Sequence, residues 1–454
     1  MDRNERLQQL IRSNRLRELK ADLSSWNPAD IASFLEQLDG ERRLLVFRVL
    51  PKDLAAAAFA YLPPEMEEQI VSAISDAEVG QVMDRLFTDD AVNFLEEVPA
   101  NVVLRALRSV DKDTRERITR FLNYPKNSAG SLMTAEFIEL HDRLTAREAL
   151  DVVRREGSRM ETVDVVYTID DTRRLTGALR LFDLIRAREG VALRDIKRDQ
   201  PVAAKTLEDQ EDVARAFRRY DLTQMPVVDG EGRLVGIITA DDVMDVIQQE
   251  NTEDMERMAA MAPSEKPYLK TSPFALAKKR IVWLLVLMIS ATFTGGIING
   301  FQEVLSSVVV LAAFIPMLMD TGGNSGSQAC VSIIRGISLN EIEFRDLGRV
   351  VWKEIRVSVL CGVCLAVACF AKIVVVDMLL LKSESVTYLV AFVVCATMAV
   401  TVCLAKIVGS TLPLLAKKLG FDPAVMASPI ITTIVDFLSL LVYFAFATAI
   451  LGIG

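Results

Sequence analysis

Cysteine, histidine and surplus basic charge are missing from much of the chain, and each shortage excludes a class of function. The first 280 of the 454 residues contain no cysteine and one histidine, His141. Neither a disulfide framework nor a Cys/His zinc site is therefore expected there. Residues 281–454 hold ten acidic and ten basic side chains, so the net charge of −9 lies in the first 280 residues. This acidic half is not expected to bind nucleic acid and is compatible with cations.

Sequence signals of catalysis and secretion are also missing. The chain has no pairing of a nucleophile with a base and no phosphate-binding loop, so we do not expect an enzyme. The N-terminus is charged and lacks an apolar core. No cleavable signal is therefore expected, and the acidic half is predicted to stay in the cytosol.

Long uncharged apolar stretches are absent from the first 280 residues but dominate the remainder. A bilayer core about 30 Å thick needs about 20 apolar residues in a helix. Five stretches reach that length: 281–299, 304–334, 357–376, 386–416 and 427–450. The sequence therefore predicts five membrane-spanning helices.

Basic residues predict how these helices are oriented. They precede the first stretch at Lys278–Arg280, separate the second from the third at 335–356, and separate the fourth from the fifth at Lys417 and Lys418. Because basic loops remain on the cytosolic side, the N-terminus is predicted inside and the C-terminus outside.

A polar, glycine-rich segment interrupts the second apolar stretch over residues 316–328. Its three glycines would let helices approach closely, so tight packing is one interpretation. The other is an irregular backbone beside a water-filled path, since free backbone polar groups are tolerated at membrane depth only in such places. Asn324 and Gln328 of this segment are candidate pore ligands.

Asp436 lies in the middle of the last apolar stretch. A carboxylate there costs at least about 2.5–3.5 kcal/mol, so it should face a pore, a partner or a cation. An ion pair with Lys406 or Lys372 of another span is the alternative. Thr432 and Ser439 share its helix face. A site that offers only oxygen atoms suits a hard cation such as Mg²⁺ or Ca²⁺.

Asp422 precedes the last stretch and is followed by Pro423. This order is typical of a helix N-cap, which needs no further function. A cation site at the cytosolic end of the span is the second interpretation, and the sequence does not choose between them.

The acidic half divides into two patterns. Eight short amphipathic helices are predicted between residues 28 and 123, at a spacing typical of a helical solenoid. From 132 to 249, strands alternate with helices, and a strand–turn–strand–helix order occurs twice, about 60 residues apart.

Both copies resemble CBS domains, which associate in pairs and often bind adenine nucleotides. Thr239 and Asp242 match the Ser/Thr-x-x-Asp motif that contacts ribose and phosphate. In the first copy Arg180 replaces the hydroxyl residue and only Asp183 matches. ATP or another adenine nucleotide is therefore expected at the second module, whereas the first module keeps only half of the motif.

Four motifs then follow one another along the chain: Tyr-Pro-Lys-Asn-Ser-Ala-Gly-Ser-Leu-Met-Thr at 124–134, a Pro…Gly-Gly-Asn-x-Gly-x-Gln segment at 316–328, Asp-Pro-Ala at 422–424, and Pro-x6-Asp at 429–436. Together with five spans that follow a CBS pair, they resemble the MgtE family of magnesium channels or transporters over nearly the entire chain.

The resemblance implies a homodimer whose pore lies between the two membrane halves. Asp436 aligns with the family's pore carboxylate and Asp422 with its entrance carboxylate. The resemblance also implies a connecting helix at about 252–276 that acts as a plug. Asp320 departs from the family pattern of a small or apolar residue, and either adds a second pore charge or marks a subgroup.

The predicted fold is a multidomain α-helical membrane protein. It comprises a helical solenoid-like domain (1–130), α+β tandem CBS modules (131–195 and 196–251), a connecting plug helix (252–279) and a five-helix membrane domain (280–454). The predicted function is magnesium-selective import across the cytoplasmic membrane, with the lipid bilayer and Mg²⁺ as partners.

Acidic side chains of the acidic half are the predicted regulatory ligands of cytosolic Mg²⁺. Facing carboxylates repel, and this repulsion would hold the domains apart until Mg²⁺ fills the gaps. The predicted ligands are Asp89, Asp90, Glu211, Asp221, Asp242, Asp245, Glu250, Glu253 and Asp254. For each of them a solvated surface role is the alternative.

Two other functions are compatible with the sequence. One is transport of Co²⁺, Mn²⁺ or Ca²⁺, because oxygen ligands do not separate these ions. The other is a membrane-anchored CBS nucleotide sensor that transports nothing. Asp436 and the Gly-Gly-Asn segment disfavour the second, since an inert anchor needs neither.

Overall fold

The computed structural model describes residues 3–263, 268–426 and 428–452. The chain forms two compact units, Met1–Ile247 and Gln248–Gly454, and each is described by itself.

Short capped helices build the first part of the unit Met1–Ile247, called the soluble unit below. They are α1 Arg3–Arg12, α2 Leu16–Leu23, α3 Pro28–Glu36, α4 Gly40–Val49, α5 Lys52–Phe59, α6 Pro64–Ala73, α7 Asp76–Met83, α8 Thr88–Glu97, α9 Ala100–Ser109 and α10 Lys112–Phe121. Asn27, Asp39 and Asp111 accept backbone N–H bonds at three of the helix starts, which satisfies donors that the helix itself cannot. The eight helices predicted between 28 and 123 are confirmed.

Two sheets follow in the same unit. The first contains β1 Glu139–His141, β2 Val165–Ile169, β3 Leu175–Arg180 and β4 Arg198–Asp199, and the second contains β5 Ala204–Lys205, β6 Gln224–Val228 and β7 Leu234–Thr239. In each sheet the first strand pairs parallel with the second, and the second pairs antiparallel with the third. The tandem repeat predicted from sequence is therefore confirmed. The helices of this region are α11 Ala129–Leu132, α12 Ala146–Glu156, α13 Leu181–Arg186, α14 Gln210–Tyr220 and α15 Ala240–Met258.

The segment 124–134 joins the helical domain to the second module. Ala129 N–H donates to the Glu208 carbonyl at 2.7 Å, and Gly130 N–H donates to the Thr206 carbonyl at 2.9 Å. A Cβ on Gly130 would lie 2.6 Å from the ring of Tyr124, so only glycine permits this approach. One hydrophobic core extends from the helical domain into the second module, where it includes Val213.

The second unit, Gln248–Gly454, is called the membrane unit below and is built from long helices. They are α16 Pro273–Gly300, α17 Gln302–Ser307, α18 Ile315–Ser338, α19 Leu347–Lys372, α20 Tyr388–Lys418 and α21 Ser428–Leu451, and α19 continues as a π-helix over Ile373–Leu380. Within the described ranges, four helical segments are long and apolar enough to cross a membrane: Pro273–Gly300, Phe344–Leu380, Tyr388–Lys418 and Pro423–Leu451. Helix α18 has 24 residues, about 36 Å of helix, but its polar residues keep it outside this group. The fifth crossing therefore stays a prediction.

The prediction of an irregular backbone at residues 316–328 is wrong. Helix α18 runs through the whole segment, and Pro316 lies in its first turn, where a missing N–H costs nothing. The alternative interpretation, tight packing, is confirmed. A Cβ on Gly322 would lie 2.9 Å from Val435, and one on Gly326 would lie 2.7 Å from Ile431. The glycines therefore bring α18 against α21 without breaking the helix.

The connecting helix expected at 252–276 is not a separate element in the described part of the chain. Residues up to Met258 form the end of α15, and α16 begins at Pro273. Part of the expected helix, residues 264–267, lies outside the described residues.

Close packing of the membrane helices predicts a strong effect of one added methyl group. A Cβ on Gly409 would lie 2.2 Å from the backbone carbonyl oxygen of Gly326, an atom that cannot rotate away. We expect Gly409→Ala to cost at least about 1–3 kcal/mol and to lower the melting temperature of the detergent-solubilised protein.

Gly348→Ala is the matched control, because nothing lies within 4 Å of a Cβ at that position. Its stability should stay within about 0.5 kcal/mol of the parent protein. Equal melting temperatures for the two variants would contradict a close contact between Gly409 and Gly326.

Candidate ion-binding sites

Three polar side chains follow one face of α18. Asp320, Asn324 and Gln328 occur every four residues and are exposed in the single chain, so they lie one above another along the helix. The Asn324 amide donates to Asp320 Oδ1 at 3.1 Å. Such a stripe is costly against lipid and therefore needs water, a partner or a cation.

Helix α21 brings Asp436 and Thr432 to the same region. Thr432 lies against α18, where a Cβ on Gly323 would be 2.9 Å from its methyl group, and Asp436 is half-buried. Ser439 is buried, and its hydroxyl donates to the Val435 carbonyl at 2.6 Å. The Thr432 hydroxyl donates within its own helix as well. The Thr432 oxygen therefore keeps its lone pairs for a ligand. The Ser439 oxygen is buried and has no access to water.

The lysine alternative for Asp436 is not supported in the part of the chain that is described. Lys372 Nζ instead lies 2.8 Å from Asp377 Oδ2, and the π-helix places these residues, five apart, on one face. Lys406 is buried in α20, and no ion pair joins it to Asp436 within the described ranges.

Asp422 is a helix cap, as one of the two interpretations of the sequence predicted, and the cation site stays a prediction. Its Oδ1 accepts the Ala424 N–H at 2.8 Å, so it caps the short helix Pro423–Met426. Its Oδ2 accepts a hydrogen bond from the guanidinium of Arg257, with which it forms an ion pair. The cap uses one oxygen and a charged partner takes the other.

A second group of carboxylates lies in the soluble unit. Asp89 in the first turn of α8, Glu161 before β2 and Asp242 in the first turn of α15 each offer an oxygen, and these atoms lie within 4.8 Å of one another. Asp89 is only 3% exposed. Oxygen atoms at opposite corners of a magnesium coordination sphere are about 4 Å apart, so small shifts would let one ion contact all three.

Glu136 fixes the start of α8 and with it the position of Asp89. Its carboxylate accepts hydrogen bonds from the backbone and the hydroxyl of Thr88, at 3.0 and 2.9 Å. The Thr134 hydroxyl donates to it at 2.8 Å. A carboxylate is favoured at a helix N-terminus because unpaired N–H groups and the positive end of the helix dipole lie there.

Thr239 lies between the other two carboxylates at the end of β7. Its Oγ1 is 2.5 Å from Asp242 Oδ2 and 3.2 Å from Glu161 Oε1, and its single hydrogen serves one of them at a time. Glu161 Oε2 is buried without a hydrogen-bond partner among the described residues. A buried carboxylate oxygen in this position needs a proton or a cation, and the all-oxygen donor set fits Mg²⁺.

The pKa values of this carboxylate group are raised. Burial is the main cause, and repulsion by neighbouring carboxylates adds to it. The pKa of Glu161 rises to about 8, that of Asp90 to about 7 and that of Asp242 to about 6, and the pKa of Asp89 lies well above its ordinary range.

The predicted regulatory ligands divide into three sets. Asp89, Asp90, Asp242 and Asp245 lie close enough for their charges to interact, directly or through a neighbour. Glu211 and Asp221 lie at opposite ends of α14, about 15 Å apart along the helix, so no single ion contacts both. Glu250, Glu253 and Asp254 lie on the last turns of α15, within the second unit.

The predicted nucleotide ligands differ in what surrounds them. Thr239 and Asp242 belong to the carboxylate group described above. Asp183 accepts two hydrogen bonds from Arg180, at 2.8 and 3.0 Å. The arginine that replaces the hydroxyl residue in the first module therefore occupies the remaining acid.

Sequence reasoning missed Glu161, Glu136 and Arg257. Glu161 and Glu136 stand in connecting segments of the first module, and Arg257 is one of many charges at the end of α15. No local pattern marks them, because their partners are far away in sequence.

Three family descriptions match parts of this chain. MgtE, a divalent cation transporter, matches residues 315–446. The MgtE intracellular N domain matches 26–127, and the CBS domain matches 193–249.

Similar proteins cover nearly the full length. The magnesium transporter MgtE of Thermus thermophilus is 34% identical over 449 residues, which is 98% of each chain. That of Bacillus subtilis is 29% identical over 440 residues, 97% of this chain and 95% of its own.

Two solved structures resemble the soluble half. One is the crystal structure of the cytosolic domain of the Mg²⁺ channel MgtE in complex with ATP: it is 35% identical, covers 53% of this chain and 98% of its own, and has a TM-score of 0.51. The other is the soluble part of a magnesium transporter, which is 26% identical, covers 54% and 97%, and has a TM-score of 0.53.

The similarity thus runs through the helical domain, the CBS region and the membrane helices alike. On this basis the chain belongs to the MgtE family of magnesium transporters.

Proposed function

We propose that the chain is a magnesium-selective channel or carrier that imports Mg²⁺ across the cytoplasmic membrane. The observation that carries the proposal is Asp436, a carboxylate within a membrane helix that has no lysine partner among the described residues and lies beside the polar face of α18. Two copies of the chain would place these faces around one axis, with the N-termini in the cytosol and five crossings per subunit.

The chemistry of the face suits hydrated Mg²⁺. Magnesium loses its waters reluctantly and is usually held by one or two carboxylates with waters retained. Asp436 would supply the charge, while Asn324, Gln328 and Thr432 would bind the coordinated waters. Asp320, hydrogen-bonded to Asn324, would add a second negative charge on the same path, and Asp422 would stand at its cytosolic end.

Removal of the pore charge tests the proposal directly. Asp436→Ala, or the isosteric Asp436→Asn, should abolish Mg²⁺ flux into liposomes followed with a fluorescent indicator, because the neutral side chain no longer supplies the negative charge that holds the hydrated ion. Glu341→Gln, which removes one exposed charge from the same unit, is the control and should transport normally.

Normal flux through the Asp436 variants would contradict the assignment. The same assay with Ca²⁺, Mn²⁺ and Co²⁺ as competitors, with and without a membrane potential, separates magnesium selectivity from general divalent transport. Absence of any ion flux in the parent protein would favour an anchored nucleotide sensor.

Regulation would arise from the carboxylates at Asp89, Glu161 and Asp242. At low cytosolic Mg²⁺ their mutual repulsion is relieved only by protons, as the raised pKa values indicate. A bound Mg²⁺ would replace these protons and draw α8 towards α15. An adenine nucleotide bound near Thr239 would bring its own phosphates to the same acids and would therefore depend on Mg²⁺.

Protonation sets the sign of the pH effect on stability. The pKa values of Asp90, Glu161 and Asp242 are about 7, 8 and 6 in the folded protein, and the pKa of such a carboxyl group is near 4 when the chain is unfolded. The folded state therefore holds more protons, and stability falls as pH rises from about 4 to about 8. Mg²⁺ should offset the repulsion between the carboxylates most near pH 8, where they have lost their protons.

A chain of residues 1–262 allows this to be measured by thermal unfolding. Without Mg²⁺ it should be less stable at pH 8 than at pH 6, and added Mg²⁺ should raise the melting temperature more at pH 8. Asp89→Asn should remove one repelling charge, raise the melting temperature at pH 8 without Mg²⁺ by about 2–4 °C, and reduce the response to Mg²⁺. Asp113→Asn, an exposed acid in α10, should behave as the parent, and an identical Mg²⁺ response in both variants would refute the site.

Gating can be tested on the whole chain. Neutralising Asp242, Asp245, Glu250 and Glu253 together should leave flux high at a cytosolic Mg²⁺ concentration that closes the parent protein, because the ion then lacks the carboxylate ligands through which it would draw the domains together. The measurement is flux against Mg²⁺ on the cytosolic face. Unchanged inhibition in the quadruple variant would remove the gating proposal and leave the pore assignment untouched.

A further inference from the structure

The last turn of α15 contacts the membrane helices through a charged and an apolar residue. The Arg257 guanidinium donates to Asp422 Oδ2 and forms an ion pair with Glu253 one turn earlier. All three side chains are only partly exposed, at 35% for Arg257, 26% for Asp422 and 27% for Glu253. An ion pair that is screened from water in this way is stronger than one on the open surface.

Met258 anchors the same turn. It packs against a buried cluster that α18, α20 and α21 contribute together, formed by Cys330, Ile334, Ala405, Ile431 and Val435. Two hydrogen bonds then tie the following residues to α16, from Ala262 N–H to the Lys279 carbonyl at 3.3 Å and from Lys279 Nζ to the Pro263 carbonyl at 2.5 Å. Arg257 is therefore presented to Asp422 by a docked segment.

We propose that Arg257 is a tethered counter-ion that occupies the Asp422 carboxylate in place of Mg²⁺, so that the arginine and the ion exclude each other there. The proposal deepens the transport function proposed above and rests on it, because it takes Asp422 to be a step on the ion's path.

The chemistry of the two groups supports exclusion. One Asp422 oxygen is already used by the helix cap, and the other receives the guanidinium. A guanidinium keeps its positive charge at every physiological pH and forms directed hydrogen bonds with carboxylates. It therefore neutralises the carboxylate and uses the lone pairs that a hydrated Mg²⁺ would need. A tethered group also competes at an effective concentration on the order of millimolar.

Glu253 positions the arginine and connects it with regulation. It holds the opposite side of the guanidinium from the same helix, and it is one of the predicted regulatory ligands. A cation that bound Glu253 would end its pairing with Arg257, and the guanidinium would then be held by Asp422 and by the nearby charge of Asp254. Regulatory Mg²⁺ would thereby strengthen the contact that closes the cytosolic end of the path.

Arg257→Gln tests the proposal in the full chain, reconstituted in liposomes with a fluorescent Mg²⁺ indicator. The cytosolic Mg²⁺ concentration that halves the flux should rise by about threefold to tenfold. Arg257→Lys, which keeps the charge but not the planar hydrogen-bonding geometry, should lie between Arg257→Gln and the parent. Arg154→Gln removes a surface arginine that pairs with Asp151 and should not change the value.

Asp422→Asn distinguishes a direct contact from a general effect on structure. If Arg257 acts through Asp422, adding Arg257→Gln to Asp422→Asn should change the half-inhibitory concentration by less than about twofold, because the partner is already neutral. A full additional shift in that background, or an unshifted value in Arg257→Gln alone, overturns the proposal. Absence of Mg²⁺ flux in the parent protein would instead refute the transport function itself.

Discussion

Repulsion between carboxylates that have no basic partner is the constraint on which this molecule depends. The chain does pair its acids elsewhere, as Asp183 with Arg180 and Asp377 with Lys372 show. Within the described ranges it leaves Asp436 without a basic partner in the membrane unit, and it holds Asp89 beside two other acids in the soluble unit. Both arrangements are costly unless a cation or a proton compensates the charge. The ion transport and the ion regulation proposed above would therefore meet the same physical requirement in two different places.

Local sequence rules predicted the elements well. Helix starts such as Asp39 and Asp111 carry their own cap residues, so local patterns alone divide the helical domain correctly. The hairpin of β6 and β7 follows from an apolar run, a turn at 229–232 and a second apolar run. Asp436 was evident because a single charge in a long apolar stretch has few explanations.

The features that could not be predicted from the sequence depend on contacts between residues far apart along the chain. A segment rich in glycine is compatible with a broken helix and with a tightly packed one, and only the neighbours of Gly322 and Gly326 on α21 decide for the second. Glu161 joins acids that are more than 70 residues away on either side, and Arg257 meets Asp422 across 165 positions. Periodicity and capping carry no information about such pairs, because they describe one element at a time.

The segment that joins the helical domain to the second CBS module also determines where the chain can be divided. The hydrophobic core does not end at residue 130 but continues into Val213, Phe217 and Ile238 of that module. A fragment that stopped after the last helix of the helical domain would present its share of this core to water, and would therefore tend to aggregate. In evolutionary terms the two parts must change together, since neither can exchange its apolar face without the other.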